Sequence, residues 1–301
     1  MPRIDRYVAL YILLGLLVAG SLFAYYMFFH PSVVLRVSTT TSLYATGLLD
    51  KLADEFMKQH PGVMVQFIPV GSGEALRRAS LGDADLVLVH APNLEKIYLS
   101  EGYIMDGRIF AYNYFVIVGP PDDPAGIRGM ENATEAFIKI YERGLAGEAL
   151  FVSRGDNSGT HNRELFIWSK AGLEPGGPWY IESGSGMSQT LEIANEKSAY
   201  TLSDIGTFLK LKKTGVIDNL EIMVSGDPDL INIYSVYLVN PSKVNGVNIE
   251  LAKEFMNFIV GEDGQRIISE YGVSEYDSNL FYPANEEKLS ELKEIWNYFA
   301  S

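Results

Sequence analysis

The chain has 301 residues, 47% hydrophobic and 21% charged, and its 24 Lys and Arg against 38 Asp and Glu give a formal charge of −14. That is the composition of a folded protein with room for two sizeable cores, and its acidity excludes a general nucleic-acid binder, which needs a basic face for phosphates. Cysteine is absent, so disulfide scaffolds and thiolate metal sites are excluded, while the compartment stays open because a larger domain folds outside the cell without bridges.

The first element is apolar. Tyr7 to Phe29 is a run of 23 residues without a charge, preceded by Arg3 and Arg6, with no basic residue after it until Arg36. Its length suits a bilayer crossing, and the leading arginines place the N-terminus inside and the bulk of the chain outside. A cleaved signal peptide competes, with Val18-Ala19-Gly20 as cleavage site. The apolar run continues through Leu22 to Phe29, which favours a retained single-pass anchor in the cell membrane and an extracytoplasmic soluble domain. Leu17 to Ser21 has the shape of a lipoprotein processing box with serine in place of the acylated cysteine, which excludes lipid anchoring. Residues 1–32 are accordingly read as cytoplasmic stub, transmembrane anchor and short linker, His30-Pro31-Ser32 being the linker.

Val33 to Ser38 reads as a β-branched strand, and Thr39-Thr40-Thr41-Ser42 follows directly. Leu48, Leu49, Leu52, Ala53 and Phe56 recur at helical spacing until His60-Pro61-Gly62 stops them. Val63 to Val70 is the next strand, Gly71-Ser72-Gly73 its turn, and a second helix begins near Glu74. Leu86 to Val89 is the continuous apolar run of a strand covered on both faces. Strands alternating with helices predict a parallel sheet with right-handed crossovers. Ligands of such sheets sit beyond the carboxyl ends of the strands, where both small-residue turns lie.

Phe115 to Val118 is a further strand, and the breaker cluster Gly119 to Pro124 marks the crossing into a second lobe. That lobe holds helices over Glu131 to Tyr141, Gly159 to Lys170 and Met187 to Asn195, and a strand over Ala149 to Ser153. Gly184-Ser185-Gly186 reads either as a fourth contact to the ligand or as a flexible loop, the loop being favoured. Tyr234 to Val239 carries the chain back, antiparallel to the first crossing. Lobe 1 is thus 33–115 plus 236–301 and lobe 2 is 116–235. The C-terminal third reads as amphipathic helices.

Ser153 to His161 joins a guanidinium, hydroxyls and a helix opening in nine residues. Arg154 is a permanent cation with a donor fork suited to oxyanions, and Ser158-Gly159-Thr160 open a helix whose free N–H groups form a ready anion site. With Thr40, Thr41 and Ser42 and with Gly71 and Ser72, they predict a cleft around a small tetrahedral anion, held without a metal. The glycines let backbone approach the ligand. An enzyme is disfavoured. Ser158, His161 and Asp156 crowd into one turn, which does not give triad geometry; no nucleophile elbow or P-loop occurs; and the four histidines have no metal-ligand spacing. His90 is read as structural, and His161 equally as helix-start residue or cleft donor.

Taken in order, Thr39 to Ser42, Val70 to Gly73, Gly82 to Asp85 with Val89-His90-Ala91-Pro92, Tyr112-Asn113, Ser153 to Asp156 with Ser158 to His161, Trp179-Tyr180, Gly186-Met187 and Ala199 to Leu202 resemble the tungstate-binding proteins of ABC transporters. The resemblance covers about Val37 to Asp204. Its Arg-x-Asp-x-Ser-Gly-Thr core also resembles phosphate-binding proteins, and the Thr-Thr-Thr-Ser and Val-His-Ala-Pro elements sharpen it to tungstate. It implies a two-lobed α/β fold of the periplasmic-binding-protein kind (type II) with a two-strand hinge, here preceded by a transmembrane helix. It implies a monomeric receptor, without cofactor, that closes on tungstate and delivers it to a membrane permease. Molybdate or phosphate binding is the near alternative, and a phosphate-ester hydrolase the distant one. Asp156 is expected to orient Arg154, and Ile205 stands where relatives often carry a basic residue.

Overall fold

The computed structural model describes residues 6–29, 33–276 and 279–301, with the side chains of 6, 7, 9, 23, 24, 26–29 and 275 outside that description. It opens with α1 (Arg6–Phe29), on which the expected membrane span falls. Among the described residues no helix is long and apolar enough to cross a membrane; several side chains of α1 lie outside them, and the span stays a reading of the sequence. The linker His30 to Ser32 falls outside the described residues.

The soluble part begins with β1 (Val33–Thr40), α2 (Thr41–Thr46), α3 (Leu48–Gln59), β2 (Val63–Val70), α4 (Ser72–Leu81), β3 (Leu86–Val89) and α5 (Pro92–Ser100). β1 pairs in parallel with β2 on one side and β3 on the other, as expected from the strand–helix alternation. Leu48, Leu49, Leu52, Ala53 and Phe56 form one buried stripe of α3, each large member contributing about 1.5–3 kcal/mol by burial. The helix expected from Leu48 is preceded by the separate short α2. Gly47 sits between them at φ 88°, a left-handed conformation that glycine adopts without Cβ strain. Thr39 to Ser42 therefore opens α2.

β4 (Ile104–Gly119) is far longer than the expected strand from Phe115. Asp106 with φ 52° and two register shifts, at Met105/Arg108 and Ile109/Ala111, interrupt its alternation, which hides its first half in the sequence. The second lobe contains α6 (Ala133–Leu145), β5 (Phe151–Ser153), α7 (Gly159–Lys170), β6 (Tyr180–Glu182), α8 (Met187–Lys197), β7 (Thr201–Asp204), α9 (Ile205–Lys213) and β8 (Glu221–Val224). The return strand β9 (Ile231–Val239) is followed by α10 (Ile249–Val260), α11 (Glu262–Glu270), α12 (Val273–Tyr276), β10 (Tyr282–Pro283) and α13 (Glu286–Phe299).

The main sheet runs β10-β4-β9-β3-β1-β2, with β7 and β8 also on β4. β4 serves both lobes. From Ile104 to Tyr114 it pairs antiparallel with β9, and from Phe115 to Gly119 with β7 and β8. The two crossing strands are thus β4 and β9, antiparallel as the sequence implied, and the return lies at Ile231, earlier than the expected 235/236. Each lobe has apolar clusters of its own: one around Leu35, Phe56, Phe110 and Phe255, with a second around Leu76 and Val87, in lobe 1. Lobe 2 has one around Phe137, Phe151 and Trp168 and another around Val116 and Leu191.

Candidate functional site

Three turns distant in sequence meet between the lobes. At the end of β1, Thr40 caps α2, its Oγ1 accepting from the Leu43 N–H at 3.3 Å. Ser42 Oγ lies 3.4 Å from Thr40 Oγ1 and 3.4 Å from His90 Nε2. At the end of β2, Gly71 caps α4 with no side chain, and Ser72 Oγ is buried without a partner. From lobe 2, Ser158 caps α7, accepting from the His161 N–H at 3.2 Å.

Close approaches join these turns. Arg154 Nη2 donates to Thr41 Oγ1 at 3.4 Å, and the Gly73 N–H to the Asn157 carbonyl at 3.4 Å. A Cβ on Gly71 would stand 3.3 Å from the Asp156 carbonyl, and one on Gly159 only 2.6 Å from the His90 carbonyl and 2.7 Å from its ring. Thr40, Thr41, Ser42, Gly71 and Ser72 on one side and Arg154, Ser158, Gly159 and Thr160 on the other are therefore all at one place. A fourth helix opening is there as well. Gly186, for which the sequence favours a loop over a fourth contact, caps α8, and its Cβ position is 3.7 Å from Thr41 Oγ1. Spacing could not decide between the two readings, because only the fold brings α8 against α2.

The electrostatics are those of an anion trap. Arg154 is 1% exposed; its Nη2 bonds Asp156 Oδ2 at 2.5 Å, while Nε and Nη1 have no partner. Asp156 turns its other oxygen to the Ser158 N–H at 3.1 Å, so each of its oxygens has a partner inside the loop and it orients the guanidinium, as expected. Thr160 Oγ1, like Ser72 Oγ, is buried and unpaired. An unpaired buried donor costs about 1–3 kcal/mol. Two guanidinium nitrogens, with three N–H groups between them, and two hydroxyls at the openings of α4 and α7 suit a guest that only accepts.

The remaining candidates fall outside that role. His161 Nδ1 accepts from the Asn157 N–H at 3.0 Å, which leaves Ser158 without a base and dissolves the triad; burial lowers the His161 pKa. Among the described residues no group of three or more His, Asp or Glu can hold a metal ion. Ile205 opens α9, where the cap is Asp204, fully buried and accepting from Thr207; burial raises the Asp204 pKa.

The sequence reading missed the layer behind Ser42. His90 Nδ1 is 2.8 Å from Asn232 Oδ1, and Asn232 bonds Asn113 across the crossing strands at 2.9 Å. The available signal was an asparagine within each crossing strand, Asn113 beside the apolar run Phe115 to Val118 and Asn232 between Ile231 and Ile233, since a buried amide must find partners.

The PBP superfamily domain matches residues 30–263. A Haloferax volcanii protein named as an anion-binding protein of an ABC transporter is 46% identical over 269 residues, 88% of this chain and 75% of that protein. The tungstate-binding protein of Peptoclostridium acidaminophilum is 39% identical over 249 residues, 82% of this chain and 84% of that one. Among solved structures, the tungstate ABC transporter protein of Geobacter sulfurreducens aligns with TM-score 0.71 at 42% identity, covering 79% of this chain and 98% of its own. The tungstate-binding protein of Desulfovibrio alaskensis aligns with TM-score 0.69 at 39% identity, covering 85% and 100%.

Proposed function

The chain belongs to the PBP superfamily, in its tungstate-binding-protein family, and from that premise we propose that it is a solute-binding protein capturing tungstate for ABC-type import. It works by binding, without catalysis. The observation that carries the reading is the buried Arg154, whose Nε and Nη1 stand unpaired, as do the buried hydroxyls of Ser72 and Thr160.

In this mechanism Thr40, Thr41, Ser42, Gly71 and Ser72 hold the oxyanion from lobe 1 and Arg154, Ser158, Gly159 and Thr160 hold it from lobe 2. Each long helix opening adds partial positive charge. An anion touching both lobes favours the closed arrangement, which is how binding drives closure about β4 and β9. Tungstate carries no proton near neutral pH, so donors satisfy it. Monohydrogen phosphate would reward a carboxylate acceptor, and Asp156 is committed to Arg154 and the Ser158 N–H.

Calorimetric titration with tungstate, molybdate, sulfate and phosphate tests this. Tungstate is expected to bind tightest, and equal affinity for phosphate would refute the specificity. A retained single-pass anchor is the companion proposal, supported by the uncharged run from Tyr7 to Phe29. It puts the site outside the cytoplasm, where a permease of the same membrane can take the ligand. Recovery of the expressed chain in the soluble fraction, cleaved before Val33, would refute the anchor.

A further inference from the structure

A buried line of polar side chains runs from the crossing strands to the anion site. Asn113 and Asn232 face each other in register on β4 and β9, and both are fully buried. Asn113 Nδ2 donates to the Leu280 carbonyl at 3.3 Å. A carbonyl only accepts, which fixes the sense of every bond that follows. Asn113 presents Oδ1 to Asn232, whose Nδ2 donates to it at 2.9 Å and to Tyr234 Oη at 2.8 Å. Asn232 therefore turns Oδ1 to His90 Nδ1, 2.8 Å away, and the ring carries its proton there. Nε2 is left as a lone pair 3.4 Å from Ser42 Oγ. It draws the Ser42 hydroxyl proton towards itself and away from an oxyanion. Tyr234 and Phe115 stack along the ring, with centroids at 5.0 and 6.1 Å.

A ligand without protons is best served when every group around it donates. Resting on the oxyanion reading above, we infer that His90 is the positioning residue that completes this arrangement: it takes up one proton from water at Nε2 as the oxyanion binds, and Ser42 turns its hydroxyl to the ligand. The proton balance closes with one proton entering from solvent. Nε2–H then donates to Ser42 Oγ, Ser42 O–H donates to the anion, and the bonds through Asn232 and Asn113 stay as they are.

In this structure burial, reinforced by the Arg154 and Arg163 charges, holds the His90 pKa down at about 4, against the opposing pull of Asn232 and Asp156. The charged groups facing the ring are thus Arg154 and Asp156 before α7 and Arg163 on α7, with Tyr234 beside it on β9. A dianion placed against Arg154 offsets the two cations and leaves net negative charge near the ring, which favours the imidazolium.

Calorimetry of the full chain in detergent, with sodium tungstate near neutral pH in buffers of different ionisation enthalpy, reads the protons exchanged. Uptake close to one proton is expected. Nitrogen-15 spectra of histidine-labelled protein should show His90 protonated at Nδ1 alone without tungstate and at both nitrogens with it. His90→Phe keeps the ring stack, and in that variant the uptake should vanish and binding weaken by about tenfold or more, the loss of the imidazolium charge near the dianion. Absence of proton uptake in the parent, uptake preserved in His90→Phe, or a His90 that stays singly protonated with tungstate bound would each overturn the inference; the spectra decide it even if the variant does not fold. If tungstate does not bind but molybdate or sulfate does, the tungstate reading alone fails, and the same measurements with that anion decide on His90. If none of them binds, both fail.

Discussion

Replacing Arg154 with alanine separates ligand binding from folding in one experiment. The side chain is 1% exposed, and Asp156 and Thr41 hold only its Nη2. Nε and Nη1 have no partner in the protein, so they are the donors offered to the oxyanion. At about 1.5 kcal/mol each, the lower end for bonds to a charged group, losing both weakens binding by about 3 kcal/mol, a factor of roughly 10². Freed from its partner, the Asp156 carboxylate also faces the dianion and repels it, so 10² is a floor. The empty protein should respond in the opposite sense. It no longer buries the unpaired Nε and Nη1 of the guanidinium, so its melting temperature should hold or rise, while the increase normally produced by tungstate disappears. Calorimetric titration gives the first quantity and differential scanning calorimetry with and without tungstate the second. An Arg154→Ala protein that binds tungstate within threefold of the parent would refute the assignment of the site.

Three further outcomes follow from the same geometry. Gly159→Ala places a methyl 2.6 Å from the rigid His90 carbonyl; tungstate affinity should fall at least about tenfold, since closure must give way, with little change in unliganded helix content by circular dichroism. Ser72→Ala removes a buried hydroxyl that has no partner; affinity should drop about fivefold to tenfold, one neutral bond, without loss of stability in urea. Glu164 is fully buried among the neutral donors Ser153, Tyr180 and Trp168, and burial pushes its pKa up to about 7 from 4.5. Between those values the folded protein keeps a proton that the unfolded chain has released, so this group's contribution is full below 4.5 and is lost as pH rises through about 7. The change amounts to about 3 kcal/mol. Urea denaturation of Glu164→Gln across that range should show a flatter stability profile than the parent, and an unchanged slope would count against the buried acid.

Much of the scaffold is legible in the chain because its signals are local. β1, β2 and β3 are β-branched or apolar runs, α3 carries a helical stripe, and the turns after β1 and β2 combine small residues with hydroxyls, so both their type and their position beyond the strand ends could be read. Boundaries set by backbone conformation were less legible. Gly47 divides α2 from α3 by a left-handed turn, and the bulges near Met105 and Ile109 conceal the first half of β4.

What the sequence determined by itself was the chemistry: an acidic protein without cysteine, one arginine among small hydroxylated turns, and the order of motifs shared with tungstate-binding proteins. Tertiary structure decided which of these groups are committed and which are free. Asp156 is spent on Arg154 and the Ser158 N–H, His161 on a backbone amide, and Ser42 on His90, while two nitrogens of Arg154, Nε and Nη1, are left over. Hydrogen-bond pairing depends on distance and direction between residues far apart in the chain. Thr41 and Arg154 are separated by 113 positions yet meet at 3.4 Å, and only the fold about β4 and β9 brings such partners together.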